Sequence, residues 1–382
     1  MVTTVKTLKV RVKDKHAKVL SQWAFEVNQV WNAANEQSTE FSRVPIPGFG
    51  YVNCGTSEFD LNTELKTLRI ERGLSIGAAT VQSVIGQHAK SRKQFKKSKL
   101  HWRCSGGAKR ALGWIPFKKA GIKLVHGQIR FCGHLFGIWD SYGLAKHNLG
   151  TGSFSEDARG RWYFNTMVEV ESKPSHGQSS IGIDLGLKTV ATCSTGDKLD
   201  RRYLTNEFAQ RLASAQRANK RERIKAIHAK IKNSRKDAIH KFTTALTKDY
   251  GAVFIGDVSS QKLVKTKMAK SILDSGWGML KTQLSYKAMA QGVVFEEINE
   301  RYTSQTCSCC GDISANSPKG RADLRIREWF CTGCGTLHDR DVNAAKNILA
   351  LGHERLVAGI SVLSFRNLAA CCLSSEGSPL RA

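Results

Sequence analysis

The stretch VFIGDVSSQ, residues 253–261, decides how this chain is read. Val253, Phe254 and Ile255 form a short apolar run that turns at once into polar residues. That is the pattern of a buried strand whose far end delivers something to a site. The residue at that end is Gly256, which has no side chain to deliver, and Asp257 follows it. Side chains alternate along a strand, so if Gly256 faces the site, Asp257 faces away unless the strand has ended.

The chain has 382 residues, enough for two or three domains. Its 59 Lys and Arg against 32 Asp and Glu leave a formal net charge of +27. Such an excess points to a polyanion, nucleic acid first, over a merely basic soluble protein, because the cations cluster as nucleic-acid contacts do. No apolar run reaches the roughly 18 residues of a membrane span. The start, MVTTVKTLKV, lacks the apolar core of a signal peptide. Eleven cysteines are an odd number, and four of them form two CxxC pairs. That favours a reducing compartment and a metal over disulfides. The expected location is the cytoplasm.

Residues 2–12 alternate apolar and polar and read as a strand. Residues 16–38 carry Leu20, Trp23, Ala24, Val27, Val30 and Trp31 at helical spacing. Residues 61–100 read as two helical pieces broken near Gly73. They run into SRKQFKKSKLHWR, residues 91–103, where Arg92, Lys93, Lys96, Lys97, Lys99 and Arg103 mix with Phe95 and Trp102. Cations for phosphates beside aromatics for stacking suit a nucleic-acid face; the competing account is a solvated helix end with two core aromatics. Residues 108–172 alternate again, with Gly-rich turns, and are expected to pair with the first strand. The helical stretch 16–105 is then an insertion in one β domain made of 1–15 and 106–178. SHGQSS, residues 175–180, reads as a linker.

From Ser180 the pattern changes to strand, tight turn, strand in IGIDLGLKTVATCSTG. Residues 205–248 read as Lys/Arg-rich helices, with Ile224, Ile227 and Ile231 on one face and Arg217, Lys220 and Arg221 among the cations. A strand at 252–257, a helix at 271–290, a strand at 292–298, a cysteine module at 307–334 and a helix at 341–351 follow. The tail from about 355 carries no motif and is expected to be loosely ordered. Strands followed by helices make an α/β multidomain chain with a mixed sheet and helices on its faces.

Asp184 lies near the end of the apolar strand IGIDLG, where a carboxylate needs charged partners or metal. Gly182 and Gly186 beside it permit close approach of backbone or substrate; a turn-capping Asp is the alternative. Asp341, in HDRDVNAAKNIL, opens a helix, where an acid also suits the helix dipole as an N-cap, with Asp339 competing for that role. Together the two acids fit an RNase H-like arrangement, in which three or four carboxylates surround two Mg²⁺ ions for phosphodiester hydrolysis. Cys307, Cys310, Cys331 and Cys334, with twenty residues between the pairs, have the spacing of a tetrahedral structural zinc site. Cys309 is an extra thiol without an assigned role.

The motifs IGIDLG, YTSQTCSCCG, CTGCG and DRDVNAAKNIL, in this order, resemble the TnpB family of transposon-encoded RNA-guided DNA endonucleases, related to type V CRISPR effectors and Fanzor proteins. The resemblance covers residues 180–351 by motif and the N-terminal half by organisation only. It implies a RuvC nuclease domain of RNase H-like fold at 179–306 and 335–354, with an inserted zinc-binding module at 307–334. It also implies a β-barrel-like wedge domain at 1–15 and 106–178, a helical recognition lobe at 16–105, and a tail at 355–382. Its partners would be a guide RNA from the transposon end and target DNA carrying a short flanking motif. Its metals would be two Mg²⁺ and a structural Zn²⁺.

Carried over, the first acid is Asp184 and the third is Asp341, directly before Val342-Asn343-Ala344-Ala345. The second fails: the family usually has Glu-Asp-Leu where this chain has Gly256-Asp257-Val258. The next strand, in VVFEEINERYTSQTC, offers Glu296, Glu297 and Glu300. Ligands in open α/β sheets collect at the carboxyl ends of strands, which favours Glu300, with Glu297 as the alternative. Some relatives resemble this chain in having moved the second glutamate to about this place. A nuclease-dead, RNA-guided DNA-binding repressor is the competing function. A strand-transfer transposase is disfavoured by the zinc module between the last two acids.

Overall fold

A computed structural model describes residues 3–38, 42–46, 50–54, 56–171, 174–175, 177–200, 207–258, 269–319 and 322–373. The chain folds as two compact units, Met1–Glu171 and Ser172–Ala382.

The first unit is built on β1 (Thr3–Val12), β4 (Trp114–Phe117), β5 (Ile122–Val125), β6 (Gln128–Phe131), β7 (His134–Trp139), β8 (Leu149–Glu156) and β9 (Trp162–Glu171). These seven form one antiparallel sheet in the order β4-β8-β9-β1-β7-β6-β5. The first strand of the chain thus lies mid-sheet, paired with β9 from Thr3↔Glu171 to Arg11↔Tyr163 and with β7 at Arg11↔Trp139. The segment between β1 and β4 holds helices Ala17–Glu36, Glu58–Glu64, Leu68–Glu71 and Ala78–Phe95. Helix Ala17–Glu36 buries Leu20, Trp23, Val27 and Val30, and Trp23 meets Phe131 and Phe136 of the sheet edge-on. Each such side chain contributes about 1.5–3 kcal/mol by leaving water.

Two expectations for this segment change. The stretch 61–100 is three helices, not two. A hairpin of β2 (Ser42–Ile46) and β3 (Gly50–Cys54) interrupts what read as helical.

The second unit contains β10 (Ser180–Asp184), β11 (Thr189–Cys193), β12 (Lys198–Asp200), β13 (Ala252–Gly256) and β14 (Val294–Ile298). They form a mixed sheet in the order β12-β11-β10-β13-β14. The β10–β13 and β13–β14 pairs are parallel, and the β11 pairs are antiparallel. The strand β13 is buried at every position, which explains its unbroken apolar sequence. Its two faces differ. Val253 and Ile255 pack with Leu280 and Leu284 of helix Trp277–Gln291 on one side. Phe254 packs with Ile348 of the last helix, Arg340–Leu373, on the other.

That last helix presses directly on the sheet. A Cβ at Gly182 would strike the Ala345 carbonyl, so only glycine allows this approach. The helix runs to Leu373, where a loosely ordered tail was expected from about 355. The stretch 355–373 has no proline and is rich in Ala and Leu, so nothing in it ends a helix. Residues 259–261, which close the quoted stretch, and 374–382 lie outside the described residues.

Candidate active site and metal centre

The end of β13 is where the site is built. Gly256 faces the last helix: a Cβ placed on it would lie 3.5 Å from Ile348 Cδ1. The same Cβ would lie 2.7 Å from Glu300 Oε2, closer than two such atoms can sit. The Glu300 carboxylate therefore reaches across from beyond β14 into the space that a side chain at 256 would fill. Glu300 follows β14 by two residues, and its N–H donates to Asp257 Oδ1 at 3.4 Å, while the Asp257 N–H donates to the Ile298 carbonyl at 2.9 Å. Asp257 is thus a backbone support for Glu300.

Glu297 points the other way. It sits opposite Ile255 in the parallel register and accepts from Lys281 Nζ at 2.7 Å, on the face covered by helix Trp277–Gln291. Glu296 lies opposite Phe254, inside the strand and away from its end.

Asp184 closes β10, the strand beside β13. Its carboxyl is pushed up to about 8, first by burial, then by the charges of Asp341 and Glu300, against the pull of Arg340 and the Leu185 N–H. Glu300 is pushed up to about 7, by burial and then Asp257, with Lys281 opposing. Asp184 thus lies within reach of the charges of two other acids from two other elements, and both disfavour its own charge, the electrostatic condition under which a divalent cation binds.

Asp339, not Asp341, caps the last helix. Asp339 Oδ1 accepts the N–H groups of Asp341 and Val342 at 2.9 and 3.1 Å, and Lys198 Nζ binds its other oxygen at 3.0 Å. The Asp341 carboxylate is left for other partners and takes Arg327 Nη1 at 3.1 and 3.3 Å. Among the described residues no three carboxylates bring one oxygen each within 4.8 Å of one another, and Asp341 is engaged by Arg327, so Arg327 has to yield if Asp341 is to share a metal with Asp184 and Glu300. All-oxygen donors in this number suit Mg²⁺.

The turn after Glu300 is held by two asparagines. Thr303 Oγ1 donates to the Glu300 carbonyl at 2.8 Å. Asn343 donates to the Thr303 and Thr306 carbonyls at 3.3 and 2.7 Å and accepts the Ser308 N–H at 2.8 Å. Asn347, one turn along, donates to the same two carbonyls at 2.8 and 2.7 Å. The helix that carries Asp341 therefore grips the turn that follows Glu300 and leads into the first cysteine.

Cys307, Cys310, Cys331 and Cys334 bring their sulfurs within 4.8 Å of one another, with Cys307–Cys334 at 3.6 Å and Cys310–Cys331 at 3.7 Å. Thiolates 2.3 Å from a tetrahedral zinc are about 3.8 Å apart, whereas disulfide sulfurs are about 2.05 Å apart. The cluster fits zinc. His338 Nε2 lies 3.0 Å from Cys307 Sγ and its ring packs on Trp329 at 4.8 Å, which places a hydrogen-bond donor behind one ligand. Cys309 is exposed and outside the cluster.

The basic stretch divides. Lys93, Lys96, Lys97, Lys99 and Trp102 are exposed, as are Arg217, Lys220 and Arg221 at the break between helices Ala209–Arg217 and Arg221–Asp249. Arg92 and Arg103 are not free contacts. Arg92 is 1% exposed and donates to the Ser98 and Thr56 carbonyls at 2.7 and 3.0 Å. Arg103 donates to Asn28 Oδ1 at 2.7 Å and lies over the rings of Trp31 and Trp114. Both guanidiniums tie loops to helices, so these two residues leave the nucleic-acid set. Sequence reading missed Arg327, Asn343, Asn347 and His338. Only His338, a metal-ligand type between the last cysteine and Asp341, carried a signal.

Two family models match neighbouring spans of the chain: "Probable transposase" over residues 163–267 and "Cas12f1-like, TNB domain" over 277–348. A protein of Streptomyces pristinaespiralis named "Putative RNA-guided DNA endonuclease" is 35% identical over 217 residues, 53% of this chain and 52% of that protein. "Putative RNA-guided DNA endonuclease InsQ" of Escherichia coli K12 is 31% identical over 239 residues, 55% of this chain and 58% of that protein. "TnpB-like protein L79" of Acanthamoeba polyphaga mimivirus is 27% identical over 136 residues, 34% of this chain and 25% of that protein.

Over these spans the chain is similar to proteins named RNA-guided DNA endonuclease or TnpB-like. It spans about half the length of the first two relatives it matches. The two matched spans contain Asp184, Gly256, Glu300, the four clustered cysteines and Asp341. Among the described residues, no helix is long and apolar enough to cross a membrane.

Proposed function

We propose that this chain is a member of the TnpB family, an RNA-guided, Mg²⁺-dependent DNA endonuclease that cuts DNA matched to its guide beside a short flanking motif. One observation carries the reading: Glu300 Oε2 fills the space over Gly256, beside Asp184 and on the face of the sheet from which Asp341 comes. The missing second acid is supplied from the neighbouring strand end. The order of strands and the acids at the ends of β10, past β14 and at the start of the last helix support a RuvC-type, RNase H-like domain. The relatives named RNA-guided DNA endonucleases support the activity.

In this reading Asp184, Glu300 and Asp341 hold the magnesium ions, which supply water activation and charge stabilisation at the scissile phosphate. Asp339 caps the helix so that Asp341 stays available. The asparagine pair fixes the turn after Glu300 against the Asp341 helix. The cysteine module holds zinc. The sheet of the first unit serves as the wedge and its inserted helices as the recognition lobe, holding guide and target by their backbones while base pairing reads sequence. A repressor needs no second acid, so the occupied space over Gly256 favours the nuclease.

The test is cleavage by the purified protein with its co-purifying RNA. The substrate is a plasmid library carrying the matched sequence with randomised flanks, in Mg²⁺. Cutting beside one enriched flank, abolished in Asp184→Ala without loss of binding, is the expected result. Target binding without cutting by the wild type would replace this reading with the repressor.

A further inference from the structure

The polar residues Asn28, Asn32 and Asn35 lie on one side of helix Ala17–Glu36 and do an uncommon job. Asn35 Nδ2 donates to the Leu100 carbonyl at 2.9 Å, and its Oδ1 accepts the Leu100 N–H at 2.7 Å. Asn32 repeats the pairing on Arg103, at 3.1 and 2.8 Å. Each side-chain amide grips one residue's N–H and C=O, as a neighbouring strand would. Between these two grips the Trp31 indole N–H donates to the His101 carbonyl at 3.3 Å. Beyond them Asn28 Nδ2 donates to Ser105 Oγ at 3.0 Å. Residues 100–105 belong to no helix and no long strand, yet their backbone is fixed.

What this frame presents is Trp102. It sits between the gripped Leu100 and Arg103 and is 55% exposed. Arg103 turns inward over Trp31 and Trp114, so Trp102, with the smaller His101 beside it, is what the segment offers to solvent. Fixing an irregular segment this firmly loses backbone entropy, and an exposed indole returns little of it by burial. The surroundings name a ligand. Between Glu71 and Asp140 the chain has no Asp or Glu, against fourteen Lys and Arg. Lys96, Lys97 and Lys99 are exposed just before Trp102, and among the described residues none of the three is in an ion pair with a carboxylate.

We propose that Trp102 is a stacking platform for an unpaired nucleobase, with Lys96, Lys97 and Lys99 holding the adjoining phosphates. A rigid aromatic ring in a run of chain without acids accepts any base face. Bases inside a duplex already have both faces covered, so the base taken is an unpaired or terminal one. The proposal rests on the nucleic-acid reading above and says which part of the nucleic acid this face takes.

The full-length protein, freed of RNA, is titrated with short single-stranded RNA, single-stranded DNA and a blunt DNA duplex, the single strands carrying one 2-aminopurine. Trp102→Ala is expected to weaken single-strand binding by roughly ten- to a hundredfold and to abolish the 2-aminopurine quench. It should leave the slope of log K against log salt unchanged. Trp102→Phe keeps most of the affinity, and Lys96→Ala/Lys97→Ala flattens the slope instead. Trp102→Ala should melt with the wild type. A loss confined to RNA or to DNA identifies the strand that supplies the base. Wild-type affinity and quench in Trp102→Ala overturn the platform alone. A wild type that binds none of the three probes overturns the nucleic-acid reading itself.

Discussion

Asp339 and Asp341 stand two residues apart and do different work. Asp339 accepts the first helical N–H groups, and although burial opposes its charge, those hydrogen bonds and Lys198 hold its carboxyl below the usual range. Asp339→Ala is expected to lower stability by about 1 kcal/mol, the usual worth of an N-cap, measured by urea unfolding, and to leave most of the cleavage rate. Asp341→Asn should keep stability and lose cleavage. The reverse pattern would make Asp341 structural. Asp184 and Glu300 give a second residue-scale prediction. Burial first, and neighbouring carboxylates after it, push their carboxyls up to about 8 and about 7, well above the roughly 4 of an unfolded chain. Between roughly pH 4 and 8 the native state therefore binds more protons than the unfolded one, so stability falls as pH rises through that window. The thermal midpoint of the magnesium-free protein should drop from pH 5 to pH 8, and Asp184→Asn should flatten the drop. A profile that Asp184→Asn leaves unchanged contradicts the convergence of the three acids. At this scale the sequence made Asp184, Glu300 and Asp341 candidates. Arg92 and Arg103 read as surface cations because a basic run marks charge and not burial; only the loops they tie down reveal them.

The elements divide by how local their cause is. Strand β13 and the first part of the last helix, to Leu351, were readable because their apolar pattern is unbroken or periodic and both are fixed by burial, while the continuation of that helix to Leu373 was not. Nor was the β2–β3 hairpin. Ser42–Ile46 contains Pro45, and Pro47, Gly48 and Gly50 follow it in the sequence, so the stretch reads as punctuation, and no periodicity accumulates over five residues. The grip of Asn343 and Asn347 on the 303–306 turn was also unreadable, since asparagines within a helix give no sign of reaching another segment. Asn343 is 1% exposed. Asn343→Leu would strand the Ser308 N–H next to Cys307, at about 1–3 kcal/mol. It should speed zinc release to a colorimetric chelator and slow cleavage together. Unchanged release would separate the cysteine module from the turn after Glu300.

For the molecule as a whole, charge and metal set the behaviour. A net charge of +27 predicts nucleic-acid affinity that falls steeply with salt, by roughly 10³–10⁵ between 50 and 200 mM if six to ten phosphates are held. Binding that ignores salt would contradict a backbone-held duplex. Zinc removal should expose residues 307–339 to protease, because the cluster's four thiolates are the main internal staple of that module, while Met1–Glu171, with its own core, stays resistant. The central claim is that the second acid has moved from the end of β13 to Glu300. Its most direct test is the guided cleavage rate of a swap: Glu300→Ala, Gly256→Glu and the double variant beside the wild type. Glu300→Ala should be inactive. Gly256→Glu should be impaired, because its Cβ would lie 2.7 Å from the Glu300 carboxylate. The double variant, which frees that space and returns a glutamate to the strand, should recover cutting above Glu300→Ala. Cutting at the wild-type rate by Glu300→Ala would contradict the account.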